Sequence, residues 1–149
     1  MHAANDSTTR LPIASDADLA WVRQQVRHSA ADIGFGLAQQ TKLVTAASEL
    51  ARNTLIHGGG GHAEITTLDD RGRRGLRLSF VDTGQGIRDI DLAMSDGYTT
   101  GGGLGMGLGG ARRLVEDFTV DSHPDTGTTV TVTEWLPEVP APRSGSGST

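Results

Sequence analysis

The chain has 149 residues, a formal net charge of -5 and no cysteine. That length suits one domain able to bury its own core, and the missing thiols exclude disulfide scaffolds, cysteine-ligated zinc, iron-sulfur clusters and thiol nucleophiles. The acidic balance argues against a nucleic-acid binder, which presents a basic face to phosphate, and no apolar stretch is long enough for a signal sequence or a bilayer span, so a cytoplasmic protein with no membrane partner is expected.

Residues 1–9 are polar and residues 137–149 are rich in Pro, Gly and Ser, so both read as tails around a domain at 10–136. A short strand is expected over 10–14, with Pro12 confining it to a sheet edge. Ser15, followed by Asp16 and Asp18, opens a helix. In it Leu19, Val22, Val26 and Ala30 recur at helical spacing until Gly34 stops the run. A second helix covers 37–57, with Leu37, Val44, Ala47, Leu50, Ala51 and Leu55 toward the core, and the four glycines at 58–61 end it.

Strands at 63–68 and 76–81, joined by the turn-forming stretch 69–75, read as an antiparallel hairpin. A glycine-rich region follows over 82–110. A third helix from 104 to 115 leads to the last two strands, at 117–122 and 128–135, around a turn at 123–127. Helices packed on one face of a mixed, mainly antiparallel sheet make an α+β two-layer sandwich. Trp21 and Trp135 are expected to pack in the core or at an edge, because no basic groove accompanies them.

Three segments carry chemistry. On the second helix, four-residue spacing sets Glu49 and Asn53 one turn apart on one face, and His57 extends the line. Such a pair supplies an oxygen ligand for Mg and a base for an incoming hydroxyl; taken alone, it equally fits a solvated helix stripe. Next, Asp82, Gly84 and Gly86 leave a buried strand, where a carboxylate can accept from an exocyclic amine such as adenine N6 and glycines let backbone approach the base. A plain glycine-rich turn is the alternative there.

The third segment, Gly101, Gly102, Gly103, Leu104, Gly105, Met106, Gly107 and Leu108, opens a helix with uncovered amide N–H groups suited to a phosphate chain. Gly105, Gly107 and Gly110 also fit G-x-G-x-x-G, but no strand precedes them, and neither a P-loop nor a eukaryotic-type kinase core is present. His57, His62 and His123 lack a repeated ligand spacing and are expected to be structural or solvated.

Taken in order, these elements resemble the GHKL superfamily of gyrase, Hsp90, histidine-kinase and MutL ATPase domains, which have the Bergerat ATP-binding fold. Glu49 and Asn53 match its N box, Asp82, Gly84 and Gly86 its first glycine box, Gly103, Gly105 and Gly107 its second, and Gly127 and Thr128 the start of its last strand. Within it, the stretches 48–53, 96–110 and 111–118 are most similar to the small bacterial anti-sigma and switch kinases, the RsbT-like serine/threonine kinases among them.

The resemblance implies ATP with Mg2+ as ligands: Asp82 on adenine, Thr128 supporting that contact through water, Asn53 holding Mg2+, Glu49 activating a substrate hydroxyl, and residues 101–108 wrapping the triphosphate. It implies a STAS-domain antagonist as phosphoacceptor. A second class stays open, in which ATP is a structural ligand of a binding module that sequesters a sigma factor or activates a PP2C-type phosphatase. A homodimer is left open as well.

Overall fold

The computed structural model describes residues 7–84, 107–123 and 126–137. In chain order it has β1 (Ser7–Ile13), α1 (Asp16–Ile33), α2 (Leu37–Ile56), β2 (Gly61–Asp70), β3 (Arg73–Asp82), α3 (Gly107–Arg112), β4 (Asp117–His123) and β5 (Gly127–Trp135). The strands form one five-stranded sheet ordered β1-β2-β3-β5-β4. All four pairings are antiparallel, so among the described residues the sheet is not the mixed one expected.

The helices cover one face of this sheet. Leu11 and Ile13 of β1, Ala63 and Ile65 of β2, Leu76, Leu78 and Phe80 of β3, and Val130 and Val132 of β5 alternate at period two and are buried. Val22, Val26, Ala30 and Ile33 of α1 and Leu43, Ala46, Ala47, Leu50 and Ala51 of α2 complete that core, with Leu108 and Ala111 of α3. Burying each large side chain contributes roughly 1.5–3 kcal/mol. Hydroxyl pairs lie between strands on the opposite face, such as Thr8 with Thr66 at 2.9 Å and Ser79 with Thr131 at 3.3 Å.

Local chemistry sets the helix ends. The Ser15 hydroxyl accepts from the Asp18 amide at 3.4 Å, and the Asp18 carboxylate accepts from the Ala14 amide at 2.8 Å, so the start of α1 is capped from both sides. At its other end Gly34 takes φ 118°, a left-handed cap that few other residues tolerate. The α1–α2 turn is then only Gly34 to Gly36, and the two helices pack as a hairpin.

Several expectations need correcting. Strand β1 begins at Ser7 rather than at residue 10, because Ser7 and Thr8 bond across the ladder to Thr67 and Thr66, each at 2.9 Å. Leu37 is the first residue of α2 and 72% exposed; the buried stripe begins a turn and a half later, at Leu43, and leaves Val44 and Leu55 at its margin. Helix α3 ends at Arg112 rather than 115, closed by the turn from the Leu114 amide to the Ala111 carbonyl at 3.0 Å. Trp21 is 50% exposed, while Trp135 is the last residue of the interior strand β5 and packs over Gly75 and beside the Arg73 guanidinium, 5.4 Å from the ring centroid.

Candidate nucleotide-binding site

Strand β3 ends where β5 begins, and α2 terminates over the same spot. Asp82 is the last residue of β3, opposite Gly61, and the pleat puts it on the helix-covered side with Phe80 and Leu78. One carboxylate oxygen, Oδ1, accepts from the Gly84 amide at 2.9 Å and the Thr128 amide at 3.3 Å. Two backbone donors thus orient the group. Among the described residues Oδ2 has no hydrogen-bond partner, so it remains available to a donor on a ligand.

Three glycines make this approach feasible. A Cβ on Gly58 would sit 2.4 Å from Asp82 Cγ and 2.6 Å from Oδ2, and one on Gly84 would sit 2.8 Å from the Gly58 carbonyl oxygen. Gly127, at φ 108°, would bring its Cβ within 2.1 Å of the Asp82 carbonyl oxygen. Any side chain at these positions would fill the cradle around the carboxylate. Beside it, buried Thr128 shares a hydrogen bond between its hydroxyl and that of Ser122 across the β4–β5 ladder, at 2.7 Å.

Helix α2 supplies the wall. The Asn53 carbonyl accepts from the His57 amide at 2.9 Å and from the Gly58 amide at 3.2 Å. The Asn53 backbone therefore seats Gly58 on Asp82. Glu49 lies one turn earlier, and both side chains are half-buried. Thr54, buried between them and the sheet, bonds back to the Leu50 carbonyl at 3.0 Å. The helix then unwinds through Gly59 at φ 75° and Gly60 at φ 105°.

Of the other expected site residues, Gly107 and Leu108 open α3, and Leu108 is buried in the core, which anchors the end of the glycine stretch. Gly86, Gly101, Gly102, Gly103, Leu104, Gly105 and Met106 lie outside the described residues. Among the described residues no group of three His, Asp or Glu side chains is arranged to hold a metal. Mg2+ usually keeps several waters and takes one or two protein oxygens plus phosphate oxygens, so Asn53 with Glu49 nearby fits an ion carried mainly by a nucleotide.

His62 lies between the Arg10 guanidinium and the Glu64 carboxylate, both at 3.2 Å, and His123 faces Asp121 at 2.9 Å. Sequence reasoning missed Gly58 and Ser122. Gly58 was legible only as a helix terminator, whereas Ser122 could have been found from the hairpin, since a turn at 123–127 sets it opposite Thr128.

The profile of the Histidine kinase-, DNA gyrase B-, and HSP90-like ATPase family matches residues 38–139. Serine/threonine-protein kinase RsbT of Bacillus subtilis (strain 168) is 41% identical over 124 residues, covering 83% of this chain and 93% of that protein. An anti-sigma F factor of Bacillus licheniformis is 35% identical over 104 residues, 64% of this chain and 69% of that protein. Among solved structures, the RsbU and RsbW domains of Rv1364c from Mycobacterium tuberculosis superpose with TM-score 0.60 at 23% identity, over 89% of this chain and 33% of that longer one, a likeness of fold. Among the described residues no helix is long and apolar enough to cross a membrane. With a family profile matching residues 38–139 and a strand-ending aspartate in a glycine cradle, the chain belongs to the histidine kinase-, DNA gyrase B- and HSP90-like ATPase family.

Proposed function

We propose that this chain is an ATP-dependent serine/threonine kinase of the anti-sigma or switch type, which phosphorylates a STAS-domain regulator in a bacterial partner-switching pathway. The observation that carries the proposal is Asp82: one oxygen clamped by two amides, the other without a partner among the described residues, in a cradle that no Cβ could share. That is an acceptor built for the exocyclic amine of adenine, and Thr128 with Ser122 adds hydroxyls beside it. The 41% identity to a serine/threonine kinase over most of both chains supports the transfer chemistry.

In this reading ATP is the phosphoryl donor. Asn53 holds Mg2+, which supplies charge neutralisation on the phosphate oxygens. Glu49 accepts the proton of the substrate hydroxyl as its oxygen bonds to the γ-phosphorus, and the bond from that phosphorus to the bridging oxygen breaks to release ADP. Leu108, buried at the start of α3, fixes the end of the glycine-rich stretch that the family resemblance assigns to the triphosphate. The acidic net charge of -5 leaves nucleic acid outside the set of partners.

Labelled ATP, Mg2+ and a STAS-domain protein test this directly. The wild-type chain should label the STAS protein on serine or threonine. Glu49→Ala should cut transfer by about 10²-fold or more while ATP affinity stays within a few-fold. Undiminished labelling by that variant would remove Glu49 from the mechanism. The anti-sigma F factor similarity favours one second reading, an ATP-dependent binding module for a sigma factor or a PP2C-type phosphatase. Partner capture without any label transfer would select it.

A further inference from the structure

Glu134 is the one charged residue among the described residues that is buried, at 7% exposure. It sits on β5 opposite Leu76, on the side of the sheet that the helices cover, where a carboxylate is costly unless its oxygens are satisfied. Both are. Oε1 accepts from the Glu116 amide at 2.7 Å, and Oε2 accepts from the side-chain amide of Gln39. Glu116 lies in the turn between α3 and β4, and Gln39 in the first turn of α2.

The carboxylate therefore joins three elements at a point where hydrophobic packing would serve for stability alone. On one side is the segment that returns from the glycine-rich stretch through α3; on the other is the helix that bears Glu49 and Asn53. We propose that Glu134 is a positioning residue for phosphoryl transfer, fixing the return segment of the phosphate-binding stretch against the catalytic helix through Glu116 and Gln39. The inference rests on the phosphoryl-transfer reading above and adds to it a residue outside the nucleotide boxes. Lys42 and the Glu116 carboxylate are the charged groups whose fields reach it, and they act with opposite sign.

The test uses the full chain with Glu134→Leu, which removes both bonds, and Glu134→Gln, which keeps an oxygen for the Glu116 amide and a polar partner for Gln39. Without nucleotide, amide exchange in residues 107–116 should run about tenfold faster in Glu134→Leu than in wild type. At a temperature where that variant is folded, kcat for transfer should fall about tenfold, and Glu134→Gln should restore it to within about twofold. Gln39→Leu, which cuts only the α2 side of the bridge, should shift both readouts in the same direction and substitutes if Glu134→Leu does not fold.

A lower melting temperature with kcat and KM unchanged would make the residue merely structural and overturn the proposal. Unchanged exchange would overturn the bridge itself. A wild-type chain that transfers no phosphate would sink the kinase reading instead, and the exchange comparison, which needs no nucleotide, would still decide the bridge.

Discussion

At the Asp82 end of the sheet, Gly58, Gly84 and Gly127 let backbone crowd a carboxylate of which one oxygen has no partner among the described residues. At the Arg73 end, Gly75 lets the Trp135 ring lie on the strand, and the polar groups around it are consumed. Arg73 Nε donates to the Leu136 carbonyl at 3.2 Å, the Leu136 amide donates to the Arg74 carbonyl at 2.8 Å, and an Arg74 guanidinium N–H reaches the Ile33 carbonyl at 3.4 Å. The same residue type thus makes a recess at one end and a seal at the other. What differs is the neighbour: a carboxyl group whose Oδ1 is held by two amides, or an apolar ring beside a guanidinium.

Substitution should separate the two ends. The largest effect is expected from Gly58→Ala, whose Cβ would need the space of the Asp82 carboxylate, a group that two amides hold in place. ATP affinity measured by calorimetry should drop by about 100-fold or more, as expected for losing charge-assisted hydrogen bonds. An unchanged affinity would mean that Asp82 is not the nucleotide floor.

Gly75→Ala makes the mirror experiment. Its Cβ would fall 2.6 Å from Trp135 Cε3, so the ring must move, at a cost of about 1–3 kcal/mol in denaturant unfolding. ATP affinity should stay within twofold of wild type. A joint loss of stability and affinity would erase the distinction between recess and seal.

The smallest effect concerns Glu134. Burial is the main influence on its carboxyl and holds it above the ordinary glutamate range, against the Glu116 amide hydrogen bond, which lowers it; the Glu116 charge raises it, and the Gln39 amide and Lys42 lower it. A raised folded-state value means that the native chain binds this proton more tightly than the unfolded chain does. The associated stability is complete below the unfolded value and is lost as pH rises through the folded one. Glu134→Gln has no such proton, so its unfolding midpoint should gain on that of wild type as pH climbs across that window. Parallel curves would remove Glu134 as the titrating group.

Much of this was legible in the residues. Ser15 with Asp16 and Asp18 announces α1, Gly34 its end, and the Asp69–Gly75 stretch the hairpin, because capping and turn chemistry act over a few residues. Glu49 and Asn53 could be named from their spacing of one helix turn and Asp82 from its place between a strand and glycines, whereas Thr128 came only with the family resemblance. The approach of the end of α2 to Asp82 could not be derived from local patterning, since Gly58 meets it through a tertiary contact spanning β2 and β3. Leu37 misled because periodicity assigns a helical face but not where along the helix the partner surface begins. Glu134 was hidden for another reason: alternation sets it on the face of Val130 and Val132, but a carboxylate near a strand end is ordinarily solvated, and only the tertiary partners Gln39 and Glu116 make its burial tolerable.

Strand β5 carries Thr128 near its start and Glu134 near its end, on the same side of the pleat. Six residues of extended backbone span about 20 Å. A peptide strut of nearly constant length therefore connects the recess at Asp82 and Thr128 to the point where Glu134 ties the turn after α3 to the start of α2. Helices can slide or tilt over the sheet during a catalytic cycle, but the gap between these two fixtures is a matter of covalent geometry. The protein carries its own gauge for the distance between those two points.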